Sequence, residues 1–237
     1  MSRLAGRDRN VQVASGARRQ DQGMHVDPDL RYWERHAARY DRSLRLLAPA
    51  LPRLLARAVA SVRGRERVLE VAAGTGLFTT AIAPVVGELI ATDYAEAMVE
   101  RLRARVEAAE LANVEVMQAD LHALPFAAAS VDAVVAANVL HLVPDLPAAI
   151  QALIRVVRPG APLVLPTFVH DQSARARLTS RLLALTGFPG QRRFDVRSLH
   201  AALEREGLTI VEAETLPGPI PIAWVVARVD PRVAQST

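Results

Sequence analysis

The sequence predicts an α/β fold: a doubly wound, seven-stranded sheet, mostly parallel, with one antiparallel strand near the C-terminus. Three observations carry this. From Arg67 onward, short β-branched apolar runs alternate with helical segments, the pattern of a parallel sheet with helices on both faces. The first run ends in a glycine turn, Ala73-Gly74-Thr75-Gly76, that opens a helix. The last two runs are separated only by Pro217-Gly218-Pro219, too short for a crossover helix, so they must pair antiparallel.

Taken in order, Asp27-Pro28 supplies an N-cap and first turn for a helical pattern through Leu30, Trp33, Ala37, Leu44 and Leu47, which Pro49 stops. A second helical stretch covers Leu51 to Val62. Strands are expected at 67–73, 88–92, 113–118, 131–137, 161–168, 208–216 and 222–229. The best-defined helices between them are 77–86, 95–109, 146–157 and 195–206, with a further helix at 173–186 inserted after the fifth strand.

Composition bounds the function. The 237 residues are 51% apolar, enough for one buried core. The absence of cysteine excludes disulfides, thiolate metal sites and cysteine nucleophiles, and no metal site is expected. A cytoplasmic location is the default, because the chain has no long uncharged apolar run and no apolar stretch behind its first arginines. Residues 1–23 carry five arginines against two aspartates, +3 of the total +4, and read as a disordered basic tail. All 29 basic residues are arginine, which fits a composition bias better than a phosphate-binding surface, so no nucleic-acid partner is expected.

The glycine turn and its surroundings carry the chemistry. A strand, tight glycine turn and helix cradle a nucleotide, since glycine permits positive φ and the helix start presents free N–H groups. Seventeen residues beyond Gly76 the second strand ends in Asp93, whose carboxylate is placed to accept from both ribose hydroxyls or to cap the next helix. The glycine frame separates the two ribose-bearing cofactors. A dinucleotide frame needs a small residue where Leu77 stands. Glu70, two residues ahead of Ala72-Ala73-Gly74-Thr75-Gly76, suits a cationic amino group instead. S-adenosylmethionine carries that ammonium and no phosphate.

Val68 to Gly76 resembles motif I of the class I S-adenosylmethionine-dependent methyltransferases, whose fold is Rossmann-like. Further stretches resemble the family in order. Asp93-Tyr94-Ala95-Glu96-Ala97-Met98 is similar to the motif that binds ribose and packs the adenine, and Ala119-Asp120-Leu121 to the one whose aspartate accepts from the adenine amino group. Val131 to Val135 resembles strand four, with Asn138 to His141 at its catalytic end, and Arg158-Pro159-Gly160 the turn into strand five. The nearest subgroup is that of the ubiquinone and menaquinone C-methyltransferases. The resemblance implies a cofactor set of Glu70, Ala72, Gly74, Thr75, Gly76, Asp93, Tyr94, Met98, Asp120, Leu121 and Asn138, with S-adenosylhomocysteine as product. Ala72 stands where the family has its first glycine, a change tolerated if that backbone needs no positive φ.

On the acceptor side, His141 is the first choice for a proton acceptor, because imidazole titrates near neutrality; the alternative is a structural histidine capping the loop before Pro144. His170 with Asp171 is a second pair, and His122 reads as surface. Tyr32, His36 and Tyr40 share one helix face. The segment Trp33 to Asp41 resembles an element that folds over the cofactor, which makes Tyr40 a pocket contact and residues 24–63 a helical lid on a domain at 64–237. The helix at 173–186 places Leu178, Leu182 and Leu185 on one face, as a cap over an apolar acceptor or as an ordinary amphipathic surface helix.

Absences narrow the acceptor. The chain lacks an Asn/Asp-Pro-Pro-Tyr after strand four, which argues against nucleobase or amide nitrogen, and lacks the cysteine needed at cytosine C5. The expected function is methyl transfer to a small molecule, quinone-like, phenolic or lipid-like. A cofactor-binding regulatory subunit and a nicotinamide oxidoreductase are the alternatives. Monomer and homodimer both stay open, as does peripheral membrane contact.

Overall fold

The computed structural model describes residues 28–185 and 188–230. The tail at 1–23 and the N-cap at Asp27 lie outside the described residues, as does the end of the helix expected to reach 186.

The sheet forms where the β-branched runs lie. Its parallel part is β1 (Arg67–Val71), β2 (Glu88–Asp93), β3 (Val114–Gln118) and β4 (Ala133–Ala136), followed by β5 (Leu163–Val164). The strand expected at 161–168 is interrupted, and Thr167–Phe168 forms a separate β6. Pro166 explains the break: it has no N–H for a ladder bond, so the run is interrupted at that residue. Eight strands result in place of seven. They run in the order β3-β2-β1-β4-β5-β8-β6, with β7 (Leu208–Leu216) along the other edge of β8 (Ile222–Val229). As the short Pro217–Pro219 connection requires, β8 is antiparallel to β5, β6 and β7 alike.

Helices cover both faces. Against one lie α3 (Leu51–Val62) and α4 (Leu77–Ile82), which bury Leu54, Ala58, Val62 and Ile82 with Trp224 of β8. Against the other lie α6 (Leu146–Val156) and α8 (Val196–Arg205), which bury Ile150, Leu153, Leu199 and Leu203. Asp145 and Asp195 cap these two by accepting from Ala148 N and Ser198 N, the role short polar side chains play at helix starts. The helix expected at 77–86 tightens to a 3-10 turn at Ala83–Val85, where Pro84 falls.

Two segments depart from the periodic reading. The N-terminal pattern is divided into α1 (Pro28–His36), a 3-10 turn (Ala37–Arg39) and α2 (Tyr40–Leu47). No glycine or proline marks the break; Ala37 is buried there against Ala95 and Met98 of the segment leading into and starting α5 (Glu96–Ala108). The inserted helix forms as α7 (Ala174–Ala184), but the leucines expected to form its apolar face turn outward. Ala176 and Ser180 turn inward, while Leu178, Leu182 and Leu185 are 61%, 58% and 83% exposed.

Strand order reverses between β1 and β4, with β2 and β3 on one side and β5 on the other. In such sheets the crevice beyond the carboxyl ends of the strands at the reversal is where ligands bind.

Candidate functional site

Two adjoining cavities open at that crevice. The first, about 230 Å³, is lined from the sheet side by Ala72, Gly74, Asp93, Asp120 and Asn138 and from the helical side by Trp33 and Tyr40. The second, about 330 Å³, is lined by Tyr32, Phe168 and Phe188 with His141 and His170. Trp33, Tyr40, Asn138 and Leu142 belong to both walls.

The first cavity is built from satisfied polar groups. Asp93, at the end of β2, is buried, and its Oδ2 accepts from Gly74 N at 2.8 Å while Oδ1 accepts from Ala95 N at 3.0 Å. The carboxylate therefore clamps the glycine turn to the start of α5, and each oxygen keeps a lone pair for a further donor. Burial pushes its pKa up, against the pull of the three backbone N–H groups of Ala95, Gly74 and Tyr94. Gly74 holds φ +59°, and a Cβ there would meet Tyr40 Cε1 at 3.4 Å, so the ring of α2 packs directly over the turn. Asp120 accepts from His122 N at 2.8 Å and pairs with His122 Nδ1 at 3.1 Å. His122 also meets Asp145 O at 3.1 Å and lines the cavity, so it is part of the wall and not plain surface.

Of the residues expected around the cofactor, Ala72, Gly74, Asp93, Tyr94, Met98, Asp120, Leu121 and Asn138 line the first cavity together with Tyr40. Glu70, Thr75 and Gly76 lie behind it. Glu70 is buried, its Oε2 accepts from Thr79 Oγ1 at 2.6 Å, and burial raises its pKa to about 8 despite that bond, with Asp93 adding to the rise. Gly76, at φ +87°, leaves no room for a Cβ, which would sit 2.6 Å from Leu102 Cδ1. Thr75 Oγ1 donates to Asp41 of α2, whose other oxygen pairs with Arg105 of α5. This three-residue latch ties the helical cover to the glycine turn.

Ala72 does adopt a left-handed conformation, with φ +51°, so the condition under which its missing glycine would be harmless is not met. The side chain costs about 1 kcal/mol there. Asn138 also has positive φ, +55°, a conformation asparagine tolerates, and its backbone N donates to Pro166 O at 2.7 Å. That bond places the side chain at the junction of the cavities. Its Oδ1 is buried with no hydrogen-bond partner among the described residues.

The second cavity holds unsatisfied polar groups in an aromatic wall. His141 is buried and neither ring nitrogen has a partner among the described residues, so its side chain caps no loop. Its ring lies 5.1 Å from that of His170 and 6.1 Å from Phe188, nearly parallel to the latter. His170 Nδ1 bonds Ser180 Oγ at 2.9 Å, not Asp171, and Nε2 has no partner among the described residues. Burial foremost holds both imidazoles below their usual range, His170 at about 4 with Arg193 adding to the fall, and His141 well below 6.5 because two imidazoles this close disfavour each other's charged form. Both are neutral at pH 7. Tyr40, by contrast, keeps its proton, because burial and then the carboxylates Asp93, Asp41 and Glu70 raise its pKa. Among the described residues no group of three metal-binding side chains occurs.

Residues 68–160 match the family profile described as "Methyltransferase domain". A demethylmenaquinone methyltransferase of Clavibacter sepedonicus is 37% identical over 133 residues, 54% of this chain and 53% of that protein. A ubiquinone/menaquinone biosynthesis C-methyltransferase of Pseudomonas fluorescens is 34% identical over 145 residues, 58% of this chain and 57% of that one. The chain thus spans about half the length of the curated relatives it matches. Among solved structures, the complex of DhpI with SAH superimposes with a TM-score of 0.67 at 25% identity, covering 86% of this chain and 97% of that one. A SAM-dependent methyltransferase from Aquifex aeolicus, TM-score 0.63 at 21% identity over 86% and 99% of the two chains, shares the fold.

Proposed function

We propose, from the premise that this chain belongs to the class I S-adenosylmethionine-dependent methyltransferases, that it transfers a methyl group to a small, largely apolar acceptor held in the second cavity. The observation that carries the reading is the adjacency of the cavities: Trp33, Tyr40, Asn138 and Leu142 line both, so ligands in the two would lie side by side, within reach of contact. Direct in-line transfer needs that contact.

The residues of the first cavity fit the cofactor. Asn138 has a buried oxygen without a donor, Gly74 leaves the backbone bare, and Asp93 and Asp120 offer acceptors for ribose hydroxyls and an adenine amino group. When bound, the cofactor supplies an electrophilic methyl on a sulfonium. Glu70, kept protonated near neutrality, would ionise beneath the turn as counter-charge to the ammonium. Tyr94, Met98 and Leu121 would pack the base, while Thr75 and Gly76 hold the turn in shape and Ala72 carries its strain. His141, neutral and unpartnered, takes the acceptor's proton, and the lid, narrowed to α1 and α2, excludes water.

Quinone-like, phenolic and lipid-like acceptors all fit an aromatic wall with two neutral imidazoles. The relatives' names favour the first. An open acceptor cavity favours an enzyme over a regulatory subunit, and Leu77 at the start of α4 disfavours a nicotinamide cofactor. A cytoplasmic location belongs to the same proposal; among the described residues no helix is long and apolar enough to cross a membrane.

The test is calorimetry followed by transfer of radiolabelled methyl. S-adenosylhomocysteine is expected to bind in the micromolar range, with proton release at pH 6.5 that is absent in Glu70→Gln. Labelled product is expected from phenolic or quinol acceptors. Tight NAD binding, or cofactor binding without turnover on any acceptor, would sink the proposal.

A further inference from the structure

The outward face of α7 has no role in either cavity. Three of the large apolar side chains exposed among the described residues, Leu178, Leu182 and Leu185, form a single stripe on it at i, i+4 and i+7. Arg175, Arg177 and Arg181 flank the stripe, and α7 contains no acidic residue. Arg175 and Arg181 form no ion pair among the described residues; Arg177 reaches only the carbonyl of Asp171, at 3.3 Å. Leucines left in water beside unpaired arginines cost free energy unless something covers them.

Charge is divided along the same line. The segments α1, Ala37–Arg39, α2 and α7 contain eight arginines against three acids, a net +5. All other described residues contain fifteen arginines against nineteen acids, a net −4. The positive segments are also the ones that rim the second cavity, through Tyr32, His36 and Ser43 on one side and Leu183 on the other. Leu46, 77% exposed, is a further apolar side chain in water on α2, between Arg45 and Leu47.

We infer that this face docks on an anionic lipid bilayer, with the leucines of α7 in the headgroup boundary and the arginines of α1, α2 and α7 against lipid phosphates. An amphipathic helix of this kind lies in the interface plane, and an arginine near an anionic leaflet contributes about fivefold to partitioning. Docked so, α7 lies on the bilayer with its opposite side, at Leu183, against the second cavity. The docking does not depend on methyl transfer.

The experiment is co-sedimentation of the full chain with phosphatidylcholine vesicles, with and without 30% phosphatidylglycerol (about that fraction suffices to charge the surface), in low and high salt. Binding is expected to the anionic vesicles only, to weaken with salt, and to fall at least about tenfold in the triple variant Leu178→Ser, Leu182→Ser, Leu185→Ser. Arg175→Gln with Arg181→Gln is expected to lose the preference for anionic lipid. Three results overturn the inference: no vesicle binding, binding unchanged by the leucine variant, or a dimer in light scattering that the leucine variant converts to monomer without any vesicle binding. S-adenosylhomocysteine titrations on the same proteins separate the two readings. Intact cofactor binding without vesicle binding sinks the docking alone, and the reverse result sinks the functional reading alone.

Discussion

The two cavities share a wall and are built on opposite principles. In the first, every buried carboxylate already has a partner: Asp93 holds Gly74 and Ala95, and Glu70 is held by Thr79. In the second, three of the four ring nitrogens of His141 and His170 have none among the described residues. A satisfied site is rigid before its ligand arrives, whereas unsatisfied buried nitrogens each cost about 1–3 kcal/mol that a ligand can recover. One cavity is preformed for a constant ligand, and the other stores free energy for a particular one.

The most severe break of that contrast is His141→Ala. In its proposed role of proton acceptor, its loss is expected to lower kcat by two to four orders of magnitude, roughly, with S-adenosylhomocysteine affinity unchanged. Steady-state kinetics on the labelled assay check this. The acid limb of the pH profile should lie below 6.5, since burial and His170 hold the imidazole neutral. On the other side of the wall, Asp93→Asn removes a charged acceptor and the clamp on Gly74, and is expected to weaken cofactor binding about a hundredfold by calorimetry.

The cavities should also differ in how they couple stability to pH. His170 has its folded pKa lowered to about 4, so the unfolded chain takes up more protons once the pH falls below 6.5. His170 alone is expected to contribute a loss of up to about 3 kcal/mol between pH 6.5 and 4, and His170→Gln should remove that contribution in urea titrations. Glu70 works the other way: raised to about 8, it favours the folded state at low pH and loses that contribution as pH rises from the ordinary carboxyl value through 8. Glu70→Gln should remove this opposing slope between pH 4.5 and about 8, and so unmask the His170 loss where the two windows overlap.

Smaller effects sharpen the comparison at the cover. Asp41→Ala releases Thr75 and Arg105, and about 1 kcal/mol is expected because the pair is partly exposed; trypsin should then cut within α1 and α2 faster while the domain core resists. Ala72→Gly relieves a positive φ but loosens the unfolded chain, so a gain under about 1 kcal/mol is expected in thermal melts.

These differences explain what could be read from the chain. The first cavity was legible because its residues sit at fixed offsets from one strand end: Ala72 and Gly74 follow β1, and Asp93 closes β2. Pro166 carried the signal for the split strand, since a proline inside a predicted strand argues against continuity. The latch of Asp41, Thr75 and Arg105 had no such signal, because its members come from three elements that only the fold brings together. Ser180 as the partner of His170 and the outward turn of the leucines follow from how α7 rolls on its neighbours, which periodicity does not specify.

The shared wall makes the two ligands thermodynamically reciprocal. Whatever factor the cofactor lends to acceptor affinity by ordering Trp33, Tyr40 and Asn138, the acceptor must return to the cofactor. Under the proposed activity, a methylated product left in the second cavity would still touch the same four side chains, so its release, and not the displacement, is expected to be the slow event of a turnover.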